Sequence, residues 1–247
     1  MKADHLKASH LVNPLGIDIK APLLSWTAED GICQTAYQIV AFHDDERIWD
    51  SGRIESPRMQ MSYGGPAQSR MRVHWQVRLW DENGLEGPWS RKAFFEYALL
   101  EAADFKAEWV NPETSVLDPK EHQPASVLKK EFDLTETGGA RIYATAHGIY
   151  ALYLNGRRVT GNLLTPGTSE YWYRLPYQTF DVEEYLHPGK NTIEVTLGDG
   201  WWRGSNGNTG TRNVLGTDIA FWLQMEVGGE PVMITDRCCT SSSAGWL

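Results

Sequence analysis

The longest regular pattern in the chain is an alternation of polar and apolar residues over positions 70–80. Successive side chains of a β-strand point to opposite faces, whereas a helix needs apolar residues three or four positions apart. The pattern therefore predicts a long strand with one buried face, around which the chain has to build a sheet. The residues of that face are Met71, Val73, Trp75, Val77 and Leu79.

The rest of the first hundred residues fits the same architecture. Short apolar or alternating runs are separated by turn-forming residues, and the runs are 23–26, 36–41, 47–52 and 92–97. Between the long strand and the last one, residues 81–84 form a turn and residues 87–90 contain the sequence Pro-Trp-Ser. This ending resembles the end of a fibronectin type III domain. We therefore predict a fibronectin-III/Ig-like β-sandwich over residues 1–100.

A second set of β patterns begins after residue 100. Residues 98–105 contain a short run of helix formers in the position of a linker, which favours a domain boundary near residue 100. Asn155-Gly156 is the strongest hairpin signal, because both residues adopt the φ angles of a tight turn. We predict a jelly-roll β-sandwich over residues 101–247, so that the whole chain is all-β. The main predicted strands are 107–110, 127–134, 140–147, 177–182, 192–197, 219–227 and 232–235.

Two aromatic segments of the second domain are candidates for binding a sugar. One is the glycine-rich loop after strand 192–197, and the other is the turn region 171–174. Aromatic faces suit the C–H face of a pyranose, and arginine addresses its hydroxyl groups. Two alternatives stay open: the loop tryptophans anchor the core, or the turn is a contact patch for another domain. The predicted carbohydrate-binding residues are Trp172, Tyr173, Arg174, Trp201, Trp202 and Arg203.

Composition and charge narrow the range of functions. The 11 tryptophans and 10 tyrosines favour β-structure with aromatic surfaces. The net charge of −9, without a basic cluster, argues against a nucleic-acid partner. No apolar run approaches the roughly 20 residues of a membrane span, and residues 1–20 lack the apolar segment of a signal peptide. Because the three cysteines form no disulfide framework, we expect a cytoplasmic protein with no membrane partner.

Several short segments, taken in their order and spacing, form a recognisable set. In the first domain they are 22–26, 36–39, 49–52 and 75–80. In the second domain they are 140–150, 154–156, 165–167, 177–181 and 197–202, the last reading Leu-Gly-Asp-Gly-Trp-Trp. Together they resemble the N-terminal part of bacterial α-L-rhamnosidases of glycoside hydrolase family 78. The resemblance implies β-sandwich domains that precede an (α/α)₆ barrel, which carries the catalytic glutamates.

The resemblance implies a supporting role for this chain. The chain ends at Leu247, before a helical barrel begins, so we expect a truncated protein with no catalytic residue of its own. Its expected role is to bind a rhamnose-containing oligosaccharide or glycoside as an accessory module, or to support the barrel. Self-association is expected through the surface that the missing barrel would cover. The alternative is a self-sufficient glycosidase that hydrolyses α-L-rhamnosides with jelly-roll carboxylates.

The resemblance also implies a metal, since some family members carry a calcium-dependent, rhamnose-binding module in the corresponding jelly-roll region. Calcium takes oxygen ligands from carboxylates, amides and carbonyl groups. Asp199, Asn206 and Asn208 offer such oxygens beside the loop tryptophans. The other interpretation is that Asp199 caps the turn and the asparagines occupy left-handed backbone positions. Calcium is the one cofactor that the sequence suggests.

Overall fold

The computed structural model describes residues 1–112, 124–207 and 210–236. The chain divides into two compact units, Met1–Asp104 and Phe105–Leu247. Both units are built from antiparallel strands, and the described residues contain one short α-helix, α1 (Gly200–Arg203). These observations confirm the predicted all-β class. None of the helices in the described part of the chain is long and apolar enough to cross a membrane.

The first unit is an Ig-like sandwich of two antiparallel sheets. Its strands are β1 (Lys2–Ala8), β2 (Leu23–Glu29), β3 (Ala36–His43), β4 (Glu46–Asp50), β5 (Ile54–Glu55), β6 (Gln60–Ser62), β7 (Arg72–Trp80) and β8 (Ala93–Glu96). One sheet has the order β1-β2-β6, and the other has the order β4-β3-β7-β8 with β5 paired to β3. The predicted long strand is β7. Its residues Trp75 and Val77 join Leu24 and Trp26 of the facing sheet in one buried cluster.

The outer face of β7 is covered by contacts between cations and aromatic rings. The Arg78 guanidinium lies 5.0 Å from the ring centroid of Trp80 and 4.6 Å from that of Trp89, which belongs to the Pro-Trp-Ser sequence. Arg72 lies 4.5 Å over the ring of Phe94 in the same way. Such contacts stabilise the ring and the cation together. The aromatic side chains on this face are therefore part of the structure of the sheet.

The second unit is also a β-sandwich. Its strands are β9 (Ser126–Leu134), β10 (Arg141–His147), β11 (Ile149–Leu154), β12 (Arg157–Arg158), β13 (Gln178–Asp181), β14 (Gly189–Gly198), β15 (Ala220–Val227) and β16 (Glu230–Ile234). They form two antiparallel sheets of order β13-β10-β15-β16 and β12-β11-β14-β9. Both sheets contribute to one core, in which Ile142, Leu152, Val195 and Phe221 are fully buried.

Within the second unit, the structure confirms one predicted turn and differs from the predicted secondary structure at two other places. Asn155-Gly156 joins β11 to β12 with φ angles of +50° and +75°, as the hairpin signal predicted. The strand predicted over residues 107–110 is absent; this segment contributes a bridge between Val110 and Phe221 and hydrogen bonds between Glu108 and Thr235. The segment after β14 forms helix α1 where a loop was predicted.

Candidate carbohydrate-binding surface

The glycine-rich segment begins with a sharp turn between β14 and α1. Gly200 has a φ of +52°, and a Cβ at this position would lie only 2.7 Å from the Cγ2 atom of Ile149. Glycine is therefore required here, both for the backbone conformation and for the close packing. In the helix that follows, Trp202 is buried and Trp201 is half-buried. The two adjacent tryptophans have different surroundings, and Trp202 is a core residue.

Trp202 is the centre of an aromatic cluster. Its ring stacks on the imidazole of His147, with the centroids 4.1 Å apart and the planes 10° apart. His147 stacks in the same manner on Trp109 at 4.3 Å, so the imidazole lies between two indoles. The Nε1–H group of Trp202 donates to the carbonyl of Asp218 at 2.6 Å. A Cβ at Gly216 would overlap the Trp202 ring at 2.2 Å, which shows how closely the backbone packs against it.

The predicted aromatic turn contacts the same tryptophan. The ring centroids of Tyr171 and Trp172 lie 5.3 Å and 5.9 Å from that of Trp202. Tyr171 is buried, whereas Trp172 and Tyr173 are 70% and 88% exposed. Arg174 is exposed beside them, and its backbone N–H donates to the carbonyl of Glu170. The fold thus brings the two candidate segments together at Trp202 and leaves two aromatic side chains in solvent.

Arg203 lies inside the protein and not on this surface. It is 2% exposed, and its Nε–H group donates to Oδ1 of Asp199 at 2.8 Å. The other carboxylate oxygen of Asp199, Oδ2, accepts from the guanidinium of Arg212 at 2.6 Å. A buried guanidinium needs a charged partner of this kind, because removing it from water is otherwise costly. The geometry assigns Asp199 and Arg203 to the stabilisation of the loop.

The same ion pairs bear on the predicted calcium ligands. A calcium ion at Asp199 would compete with two guanidinium groups for the carboxylate, whereas calcium sites gather six to eight oxygen ligands. The Nδ2 group of Asn206 donates to the carbonyl of Trp201 at 2.7 Å, which ties its side chain to the loop. Asn208 lies outside the described residues. The arrangement favours a structural role for Asp199, and the calcium site stays a prediction.

His147 and Asp218 are site residues that the sequence analysis missed. Burial lowers the pKa of His147, and the smaller opposing effect comes from the Asp218 carboxylate. The Asp218 carboxylate also accepts a hydrogen bond from Nδ2 of Asn111 at 2.9 Å. The only signal for His147 in the sequence is its place as the first polar side chain after the buried run of β10. That position predicts the end of the core, but it does not predict that the imidazole stacks between two indoles.

The fold and this surface define a tandem of two β-sandwich domains, the second of which carries a partly exposed aromatic cluster. Residues 3–101 match the N-terminal immunoglobulin domain of Rha78A-like proteins. Residues 135–244 match the N-terminal domain of α-L-rhamnosidases. Both units therefore match domains found at the N-terminus of α-L-rhamnosidases, which confirms the resemblance to the N-terminal part of these enzymes.

Individual relatives agree with this assignment. The chain is 34% identical to an α-L-rhamnosidase of Formosa agariphila over 225 residues, covering 83% of this chain and 24% of that protein. It is 35% identical to one from an Alteromonas species over 211 residues, covering 78% of this chain and 23% of that protein. The chain thus spans about a quarter of the length of these curated relatives.

Solved structures of two α-L-rhamnosidases share the fold. That from Dictyoglumus thermophilum superposes with a TM-score of 0.83 at 27% identity, covering 96% of this chain and 29% of the other. That from Aspergillus terreus has a TM-score of 0.82 at 26% identity, covering 100% of this chain and 28% of the other. In both, the similarity extends over nearly the whole of this chain.

Proposed function

We propose that this chain acts as the non-catalytic N-terminal part of an α-L-rhamnosidase-like glycoside hydrolase, and that its second unit binds a rhamnose-type sugar. The domain matches of both units support the parentage. The observation that carries the binding role is the exposure of Trp172 and Tyr173, the first of which packs against the buried Trp202. In this proposal the two exposed aromatic rings contact the apolar face of the sugar, and Arg174 donates hydrogen bonds to its hydroxyl groups.

Aromatic surface that is exposed to water is energetically unfavourable, and a ligand that covers it is stabilised. Covering apolar area contributes roughly 25 cal/mol per Å², so a sugar with a methyl group and an apolar ring face gains by lying on an indole. Trp172 packs against Trp202, which limits its freedom before a ligand arrives, and preorganisation reduces the entropy lost on binding. A single open surface of this kind should bind in the roughly millimolar to micromolar range, about −4 to −8 kcal/mol.

The second candidate function is support of another domain in the parent enzyme. The second unit exposes further large apolar side chains, of which Leu163 is 72% exposed and Leu164 and Val214 are also exposed. Exposed apolar side chains of this kind suit a protein contact as well as a sugar. If no sugar binds, this role and self-association through the same surface remain as the explanation of the exposed residues.

Titration of L-rhamnose into the chain, followed by tryptophan fluorescence and calorimetry, tests the binding role. We expect saturable binding that is lost in Trp172→Ala. The matched control is Leu163→Ala, which removes an equally exposed apolar side chain without an aromatic ring and should bind normally. Each titration is performed with calcium and with a chelator, which also tests the calcium hypothesis. Absence of saturable binding in both conditions would exclude the sugar site.

Hydrolysis by this chain alone is the rival function, and the ion pairs of Asp199 with Arg203 and Arg212 argue against it. Both oxygens of that carboxylate are engaged in ion pairs, so it is not available to a substrate. We expect no turnover of an aryl α-L-rhamnoside by the purified chain. Turnover that persists through purification and is abolished in Asp218→Asn would instead establish a self-sufficient glycosidase.

A further inference from the structure

A cluster of possible metal ligands lies in the first unit, where β1 pairs with β2. A ring nitrogen of His5 and one carboxylate oxygen from each of Asp4 and Glu29 lie within 4.8 Å of one another. One imidazole and two carboxylates form a ligand set suited to divalent transition-metal ions. Because Glu29 is far from the other two in sequence, the pairing of the strands creates the cluster.

A β-bulge places His5 beside Asp4. In a regular strand these neighbours would point to opposite faces. The pairing of β1 with β2 changes register between Asp4 and Lys7, and His5 has a φ of +50°. As a result Ala3 and Leu6 are both buried, and the two side chains between them both lie on the outer face. Bulges of this kind redirect a side chain and occur often beside functional sites.

The strand register brings Glu29 to the same face. Thr27 lies opposite Asp4 in the ladder, and Glu29 lies opposite Lys2. Residues two positions apart on a strand share a face, so Thr27 and Glu29 are on the face of Asp4. Glu29 is the diagonal neighbour of Asp4, at a separation that long side chains can span.

Thr27 orients the imidazole. Its hydroxyl group donates to the carbonyl of Asp4 at 3.2 Å and lies 3.1 Å from Nδ1 of His5. This contact engages Nδ1 and leaves Nε2 as the ring nitrogen that can face a metal ion. Metal-binding histidines are commonly held in this way through their second nitrogen.

The charges around the cluster have opposing effects on a bound cation. The backbone N–H group of His5 donates a hydrogen bond to Oδ1 of Asp4 at 2.8 Å, which holds that carboxylate beside the imidazole. The carboxylates of Asp4 and Glu29 attract a dication, whereas Lys2 and Arg91 oppose it, and salt screens both effects.

We propose that Asp4, His5 and Glu29 bind a divalent transition-metal ion of the zinc type, with water completing the coordination. The bound ion connects β1, the edge strand of its sheet, to β2. It therefore stabilises the N-terminal strand of the first unit. The site is independent of the proposed sugar surface, which belongs to the second unit.

The test is calorimetric titration of the untagged, chelator-treated chain with Zn²⁺, with Co²⁺ absorption as a spectroscopic measure of the ligand set. We expect one ion per chain and a higher Tm in its presence. His5→Asn removes the imidazole but keeps a residue that tolerates positive φ, so the bulge is retained. It should weaken Zn²⁺ binding by at least about tenfold, and Thr27→Val should weaken it by about tenfold through the lost orientation.

The matched control is His187→Ala, which removes an exposed histidine of the second unit and should leave the affinity unchanged. Glu29→Gln keeps the size of the side chain and should weaken binding as His5→Asn does. Two results would overturn the proposal: no binding of one ion per chain, or equal affinities in the wild type and His5→Asn. Weaker Zn²⁺ binding in His187→Ala, with unchanged binding in the other variants, would also show that zinc binds elsewhere.

Discussion

The two units use tryptophan in opposite ways. On the first unit, Trp80 and Trp89 lie on the outer face of a sheet, and the guanidinium of Arg78 covers both rings. On the second unit, Trp202 is covered by stacked rings, whereas Trp172 next to it is left in solvent. The difference shows that many aromatic residues do not by themselves mark a binding surface. What matters is whether the protein already covers the ring faces.

Covered and exposed rings contribute differently to the stability of the fold. A ring covered by a cation contributes to folding, since such a contact is worth about 0.5–1 kcal/mol where solvent reaches it. An exposed ring contributes little to folding and remains available to a ligand. Substitutions should therefore separate the residues that stabilise each unit from those that leave stability unchanged.

The largest loss of stability is expected for Trp202→Ala. The indole is buried and packs on His147, Tyr171 and Trp172 at once. Truncation of a buried tryptophan leaves a cavity and costs about 3–5 kcal/mol. Urea denaturation followed by circular dichroism measures the change in the free energy of unfolding of the second unit. A loss below 1 kcal/mol would mean that Trp202 is not the base of the cluster.

Asp199→Asn should cost nearly as much. It leaves the buried Arg203 without its carboxylate partner, and breaking a buried pair in this way costs about 3 kcal/mol. The control is Asp181→Asn, where the aspartate is 49% exposed in its pair with Arg141 and the loss should be about 1 kcal/mol or less. Equal losses in the two variants would contradict the role given to Asp199.

Arg78→Ala tests the covered aromatic face of the first unit. The variant loses two contacts between the guanidinium and a ring, as well as hydrogen bonds to Gln38 and the ion pair with Glu86, so we expect a loss of about 1–2 kcal/mol and tryptophan emission shifted to longer wavelength. Arg53 lies 4.8 Å over Trp80 only and is more exposed, so Arg53→Ala should have a smaller effect. Unchanged stability and emission in Arg78→Ala would show that the cation does not cover the rings.

A smaller effect is expected from the pH dependence of the His147 stack. Because burial lowers its pKa from 6.5, the folded state binds the proton more weakly than the unfolded chain does. The free energy of unfolding should then fall as the pH drops below about 6.5. Above that pH, His147 should cause no further change. His147→Phe keeps the stack and should remove this dependence. Greater stability of the wild type at acid pH would show that attraction between the imidazolium and the two indoles outweighs burial.

The smallest change in stability is expected for Trp172→Ala. The side chain is largely exposed, and substitutions at such positions usually change the free energy of unfolding by less than about 0.5 kcal/mol. The same variant should lose rhamnose binding, so stability and binding separate at this residue. A loss of stability comparable to that of Trp202→Ala would mean that Trp172 is a core residue and would remove the contrast between the two units.

The strands and the tightest turn could be read from the sequence because their signals are local. The alternation along β7 depends only on neighbouring positions, and all of its predicted inward residues are buried. Asn155-Gly156 forms its turn because both residues tolerate positive φ. The segment 107–110 was predicted as a strand from its composition, but a strand needs a continuous ladder of pairs, whereas this segment has a β-bridge at Val110 and a hydrogen bond from Glu108 to Thr235.

The sequence by itself determined the β-sandwich class, the resemblance to α-L-rhamnosidases and the two aromatic segments that meet in the second unit. Only the tertiary structure decided that Trp202 and Arg203 are buried while Trp172 and Tyr173 face solvent. It also decided that a bulge turns His5 towards Asp4 and Glu29. The physical reason is that strand periodicity and turn chemistry act between neighbours in the chain. Burial and the clustering of side chains depend instead on residues that only the folded sheets bring together.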